Sequence, residues 1–275
     1  IPTRFHHQYT DPPITQGMKA LHAVLTFGVF YPSLATAFSV VAALEIGGRA
    51  RGGKGLLGWV KTLPWGDPSL AAQVLAMFTF VFGGITGLIN ASYAINQVVH
   101  NTTWVPGHFH MTVGSAVALT FMGIAYWLIP YLTDRKLWGR KLAVAQSWVY
   151  TIGVLIFARG MISGGLKGMP RRTFFAEASY ADQIEGVALA GALTGIGGTL
   201  MTVGAVMFFV VIGMTIVAGR KGEGPDDIPV SETLTGAASE GWELSLDRIG
   251  LWVVVAIVLI LIAYGPFMVT YLPPN

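Results

Sequence analysis

Six apolar stretches, each long enough to cross a bilayer, leave this chain very few folds. A crossing takes about 20 apolar residues as an α-helix, because in hydrocarbon every backbone N–H and C=O must find its partner within the segment. The stretches lie near 17–46, 68–94, 108–130, 141–163, 187–218 and 249–271. Charge is almost absent inside them; Lys19 and Glu45 stand near ends, where a long side chain reaches the interface. A soluble domain carries roughly 25% charged residues, whereas this chain of 275 residues carries 11% and has a mean hydropathy of +0.60. The expected fold class is all-α, a polytopic membrane helix bundle of about six transmembrane helices. No internal repeat or long soluble linker is visible, so residues 1–275 read as a single transmembrane domain. Gly191 and Gly195, at GxxxG spacing in the fifth stretch, predict a close helix contact there.

Charge placement sets an orientation. The loops after spans one, three and five hold Arg49, Arg51, Lys54, Lys61, Arg135, Lys136, Arg140, Lys141, Arg220, Lys221 and Arg248. The opposite side holds Arg4, Lys19, Arg159, Lys167, Arg171 and Arg172. Eleven of the 17 basic residues on one side put that side in the cytoplasm. The net charge of +3 is thereby read as topology, with membrane lipid and not nucleic acid as the surrounding partner. The opening IPTRFHHQYTDPP has no apolar core of signal-peptide length. The absence of cysteine excludes disulfides, thiolate haem ligation, iron–sulfur clusters and a cysteine-bridged copper centre within this chain.

The same topology gathers the polar chemistry. His6 and His7 precede the first span, His100–His110 precede the third, and Arg171–Arg172 follow the fourth. Even numbers of crossings separate these groups, so all three lie towards the outer face. His108 and His110, two apart at the mouth of an apolar helix, diverge by about 200° at about 100° per residue. They cannot share one metal, but each can ligate a separate large planar group, and histidine at the end of a membrane helix commonly holds haem iron. The alternative is a pair of helix-cap histidines satisfied by loop carbonyls. His6 and His7 are adjacent, and neighbouring imidazoles can turn onto one copper, zinc or iron ion, which needs a third ligand to be held well. Arg171 and Arg172 suit haem propionates through bidentate pairing, or serve as interfacial anchors. His100 joins them or caps its loop.

The first span carries a polar stripe. Taking Ser33 as zero, His22 lies near −20°, Thr26 near +20° and Thr36 near −60°, an arc of roughly 80°. Hydroxyls both donate and accept, as a proton relay through water requires. They also commonly bond their own helix carbonyls, and Pro32 can distort the phase.

These residues together resemble the catalytic subunit I of haem–copper oxygen reductases. HNTTWVPGHFH resembles the segment that ligates both haems, FHHQYTDPP the copper-ligating pair, and MPRRTF the propionate arginines. RARGGKGLLGW, TLPW and DRIG…AYGP most resemble the B-type branch, the cytochrome c oxidases of that kind, and Ser33-Leu34-Ala35-Thr36 resembles its proton pathway. The resemblance covers essentially the whole chain and implies a terminal oxidase that reduces dioxygen to water, coupled to proton uptake and pumping. It implies two haems, one high-spin on His108 and one low-spin on His110, and one copper ion on His6 and His7. The third copper histidine, its cross-linked tyrosine and the second low-spin histidine belong to earlier helices in that family. The chain therefore reads as the C-terminal half, with the N-terminal half of subunit I, a copper-containing subunit II and a cytochrome c-like donor as partners. Its expected location is a prokaryotic plasma membrane. Asn96 departs from the aspartate that B-type relatives tend to place near a propionate. The alternatives are a nitric oxide reductase of the same superfamily, or a non-catalytic di-haem electron-transfer protein.

Overall fold

The computed structural model describes residues 14–172, 185–225, 248, 250–255, 257–259 and 261–262. The chain divides into two compact units, Pro2–Ile228 and a second made mainly of Pro229–Asn275. In the first, eight α-helices follow in order among the described residues: α1 (Gln16–Ala50), α2 (Gly58–Lys61), α3 (Pro68–Ala91), α4 (Tyr93–Val99), α5 (Trp104–Phe109), α6 (Ala118–Thr133), α7 (Arg140–Leu166) and α8 (Val187–Ala218). Five helical runs among the described residues are long and apolar enough to cross a membrane, with α5 to α6 counting as one. The fold is an all-α polytopic bundle. In the second unit, residues 250–255, 257–259 and 261–262 are helical; they are the described part of the sixth predicted span.

Local chemistry sets the helix ends. Thr15 caps α1 by accepting from the Met18 N–H at 3.4 Å, and Asp67 caps α3 by accepting from Leu70 N–H at 2.9 Å. Pro68 fills the first position of α3, where its missing N–H costs no hydrogen bond. Pro32 does not end α1, which runs through it for 35 residues.

The third span differs from the single α-helix expected from His108. It starts at Trp104, and between α5 and α6 the backbone opens into a π-helical segment, His110–Val117. Carbonyls there find partners outside the usual ladder. The Tyr150 hydroxyl of α7 donates to the Gly114 carbonyl at 2.7 Å, and the Thr112 hydroxyl donates to the Phe109 carbonyl at 3.1 Å. Such π segments gather at functional sites.

α3, the α5–α6 run and α7 form the centre, around Leu75, Ala76, Met111, Leu119, Tyr150, Val154 and Ala158. Within it the buried Ser115 hydroxyl donates to Thr79 Oγ1 at 2.6 Å, tying the π segment to α3. A second cluster, Tyr126, Ala143 and Val211, joins α6, α7 and α8, with the Tyr126 hydroxyl donating to Gln146 Oε1 at 2.7 Å. α1 lies at the edge, packed on α3, with Val24, Tyr31 and Phe38 more than two-thirds exposed.

α7 and α8 form the longest seam, and it corrects the GxxxG expectation. Gly191 and Gly195 face open space. Four of the five buried residues of α8 instead recur every seventh position, Ala190, Gly197, Gly204 and Val211, with Thr215 one turn beyond; seven is the period of a left-handed helix pair. Across the seam lie Gly153 and Gly160, where an added Cβ would meet Met201 N at 2.8 Å and Thr194 N at 2.6 Å. A Cβ on Gly197 would collide with the backbone N of Phe157. The motif misled because GxxxG describes spacing on a helix and not which face has a neighbour.

Gly197→Leu should therefore cost about 1–3 kcal/mol or more through overpacking, while Gly191→Leu should stay within about 0.5 kcal/mol. Thermal unfolding of the purified complex measures both; equal losses would mean that the seam lies on another face of α8.

Candidate functional site

His108 lies in the last turn of α5 and His110 opens the π segment, so both stand where the helix changes pitch. Each is half-buried, and the exposed Phe109 separates them. The two rings turn to different neighbours. His108 lies against α3: its Nδ1 is 3.1 Å from the Gly83 carbonyl oxygen and 3.0 Å from Thr86 Oγ1. The Thr86 hydroxyl itself donates to Gly83 O at 2.7 Å. His110 lies against α7, with its ring centroid 4.6 Å from that of Phe157, and its Nδ1 is 2.7 Å from the Pro106 carbonyl oxygen.

Carbonyl oxygens only accept, so both imidazoles carry their proton on Nδ1. Nε2 is thereby the ring nitrogen turned away from the carbonyl in each case, and the Nδ1 bond fixes the ring's orientation. A glycine stands beside each ring. A Cβ on Gly87 would sit 3.0 Å from His108 Cε1 and 3.6 Å from its Nε2, and one on Gly114 would sit 3.1 Å from His110 Cδ2. Two imidazoles on different flanks, each with Nδ1 turned to a carbonyl and a glycine beside the ring, fit axial ligands of planar metal macrocycles.

The outer rim assembles around the loop after α4. Arg171 bonds Asn101 twice, through its N–H to the Asn101 carbonyl at 2.9 Å and through Nη2 to Asn101 Oδ1 at 3.0 Å. Thr103 N–H donates to Met169 O at 2.9 Å, and Thr102 and Pro170 form an isolated bridge. These bonds bring Arg171, the exposed Arg172 and the loop that begins at His100 to one rim. His100 caps α4, its N–H donating to Asn96 O at 2.8 Å. Among the described residues two buried polar atoms lack a partner, Asn96 Oδ1 and Trp104 Nε1. Both flank this loop. Asn96 is 1% exposed, and its amide donates to Asn90 O at 2.8 Å.

His6 and His7 lie outside the described residues. Along α1, His22 is buried near the N-terminal end, Thr26 and Ser33 are half-buried and Thr36 is exposed. The three hydroxyls donate one turn back, Thr26 to His22 O at 2.6 Å, Ser33 to Val29 O at 3.4 Å and Thr36 to Pro32 O at 3.0 Å. Such bonds leave each hydroxyl oxygen able to accept. Thr36 opens onto a cavity of about 480 Å³ that Gln73 and Thr120 also line.

Sequence reasoning missed Gly83, Thr86 and Gly87, the α3 residues that meet His108. The run FGGITG carried a signal, since two glycines flanking a threonine in an apolar helix mark a close approach. It missed Phe157, Tyr150 and the Thr79–Ser115 pair, for which an apolar helix sequence gives no cue.

The comparisons agree with this architecture. The family model described as cytochrome C and quinol oxidase polypeptide I matches residues 1–200. A cytochrome c oxidase subunit 1 of Thermus thermophilus is 41% identical over 272 residues, which are 98% of this chain and 48% of that protein. A cytochrome c oxidase polypeptide 1 of Halobacterium salinarum is 27% identical over 235 residues, 83% of this chain and 34% of the relative. A cryo-EM structure of a heme-copper terminal oxidase dimer superposes with a TM-score of 0.86 at 32% identity, covering 96% of this chain and 47% of the matched one. The chain thus spans about half the length of the full-length relatives it matches. With the family model matched over most of its length and a close relative aligned along nearly all of it, the chain belongs to the cytochrome c and quinol oxidase polypeptide I family, subunit I of the haem–copper oxidases.

Proposed function

We propose that this chain supplies part of the dioxygen-reducing centre of a prokaryotic terminal oxidase, working with the rest of subunit I and a copper-containing subunit II. In this reading it forms one transmembrane domain in the plasma membrane, takes protons from the cytoplasm, and receives electrons on the outer side from a cytochrome c-like donor. The observation that carries the proposal is the pair of imidazoles near the start of the third span, each with Nδ1 pinned to a carbonyl, His108 turned to α3 and His110 to α7.

His108 is assigned to the high-spin haem and His110 to the low-spin haem. His6 and His7 are assigned to copper, with the remaining ligands coming from residues beyond this chain. Bound haems and copper would supply the electron storage and oxygen–oxygen bond cleavage. The chain's own residues hold and orient. Gly83 O and Thr86 keep the His108 ring plane fixed against α3; Pro106 O does the same for His110. Arg171 and Arg172 would face propionates with planar, always-charged donors, and His100 would complete that rim. Asn96 keeps a neutral amide at a place where an aspartate would add charge, so this chain would not store a proton there on its own side chain.

Protons would follow the α1 stripe from Thr36 through Ser33 and Thr26 towards His22. The interval between Thr26 and Ser33 is about 10 Å at 1.5 Å per residue, and water or a group from the rest of the protein must bridge it. The cavity at Thr36 supports the reading, because it gives water a place beside the first hydroxyl of the relay.

His108→Ala should abolish carbon monoxide binding to the reduced enzyme while the low-spin band stays, and His110→Ala should do the converse. Optical difference spectra of the purified complex separate the two; loss of the same band in both variants would sink the assignment. Ser33→Ala combined with Thr36→Val should slow turnover several-fold with haem and copper contents unchanged. The delay should fall in proton-coupled steps. Full turnover in that variant would reduce the stripe to helix packing.

A further inference from the structure

An apolar groove of about 470 Å³ opens between α1, α2, α3 and the first turns of α7, with neither His108 nor His110 in its lining. Val41 and Leu44 form one wall, Val74 to Phe82 of α3 the floor, and Trp59, Trp65 and Trp148 the rim. The indole N–H groups of two of these are already used, Trp59 Nε1 donating to Leu56 O at 3.0 Å and Trp65 Nε1 to Val60 O at 2.7 Å. The rings therefore give the groove hydrocarbon surface and ask nothing polar of an occupant. Along α3 the lining runs about 12 Å at 1.5 Å per residue, from near the helix start into a hydrocarbon core about 30 Å thick.

The connection from α1 to α2 carries Arg51 and Lys54, and α2, which lines the groove through Trp59 and Val60, ends on Lys61; all three are exposed. Among the described residues none of the three forms an ion pair, whereas neighbouring Arg49 is held by Glu45 at 2.6 Å. Lys61 follows two lining residues, Trp59 and Val60, directly in the chain. Leu56 and Leu57 in the same connection are 85% and 68% exposed, as side chains that dip into lipid beside an interfacial turn are. By the charge count this is the cytoplasmic side. Unpaired cations over an apolar slot at the headgroup level are the chemistry that recognises anionic lipid.

We propose that this groove binds one anionic phospholipid of the inner leaflet, an acyl chain lying between α1 and α3 and the phosphate at Lys54 and Lys61. The tryptophan rim fixes the depth of the chain, and the lysines select the headgroup. The site stands on the groove and its cations alone, independent of the haem and copper assignments.

Native mass spectrometry of the purified complex, incubated with phosphatidylglycerol or phosphatidylcholine, tests it. The unaltered complex should retain one phosphatidylglycerol and far less phosphatidylcholine. Lys54→Gln with Lys61→Gln should weaken phosphatidylglycerol retention roughly 30-fold, from about 1 kcal/mol per basic side chain near an anionic lipid surface. Leu44→Trp, which fills the slot and leaves the lysines, should lower retention of both lipids while turnover stays unchanged. Equal retention of the two lipids by the unaltered complex would overturn headgroup selection. Unchanged retention in both variants would overturn the site, the groove then being covered by another helix of the complex or by a second copy.

Discussion

The arrangement depends on two hydrogen bonds, each from an imidazole Nδ1–H to a backbone carbonyl. One is long-range, joining His108 to Gly83 on the neighbouring helix; the other is local, joining His110 to Pro106 a turn earlier. Both bonds turn Nε2 away from the carbonyl, and both fix a ring that would otherwise rotate about χ2. The first also explains the glycines of α3. Gly83 has no room for a side chain, since a Cβ would lie 2.6 Å from Thr112 Cγ2 and 3.1 Å from the Met111 carbonyl carbon. α3 and the third span must approach that closely for the carbonyl to reach His108.

The rest of the packing holds that approach in place. Ser115 and Thr79 make a buried hydroxyl pair across the same two helices, and Tyr150 ties the π segment to α7 by donating a hydrogen bond to Gly114 O. In a membrane, interhelical polar bonds and small-residue seams do the work that hydrophobic burial does in water. The α7–α8 seam is the small-residue case, and Tyr126 with Gln146 is the polar case. Loop residues lock the end of the bundle where α6, α7 and α8 meet: Lys136 and Arg220 both pair with Glu223, and the hydrogen bond from Lys136 is the main reason that carboxyl titrates below its ordinary value.

Much of this was legible in the sequence, and the omissions have physical reasons. Uninterrupted apolar runs announced the spans because a bilayer tolerates little else, and the run placed near 68–94 begins where α3 does. The histidine motif announced its own importance through its two-residue spacing at a helix mouth. What it did not announce was Gly83 and Thr86, which lie 25 and 22 residues away in the chain and meet His108 only in three dimensions. The π segment is invisible to hydropathy, because opening a helix by one residue per turn changes hydrogen bonding and not composition. Gly191 and Gly195 had the right spacing on the wrong face, whereas the seven-residue repeat through Gly197 and Gly204 needed α7 to give it meaning. For the α1 stripe, sequence gave the angular alignment, and the structure adds that each hydroxyl spends its proton on its own helix.

The central claim is that the start of the third span presents two Nε2 atoms to two separate planar groups. A high-resolution density map of the intact complex tests it most directly. The account predicts one macrocycle with iron at His108 Nε2 on the Gly87 side and a second at His110 Nε2, with both Nδ1 atoms still bonded to Gly83 O and Pro106 O. A map in which the two histidines converge on a single ion, or in which either Nε2 is hydrogen-bonded to protein with no macrocycle beside it, would contradict it.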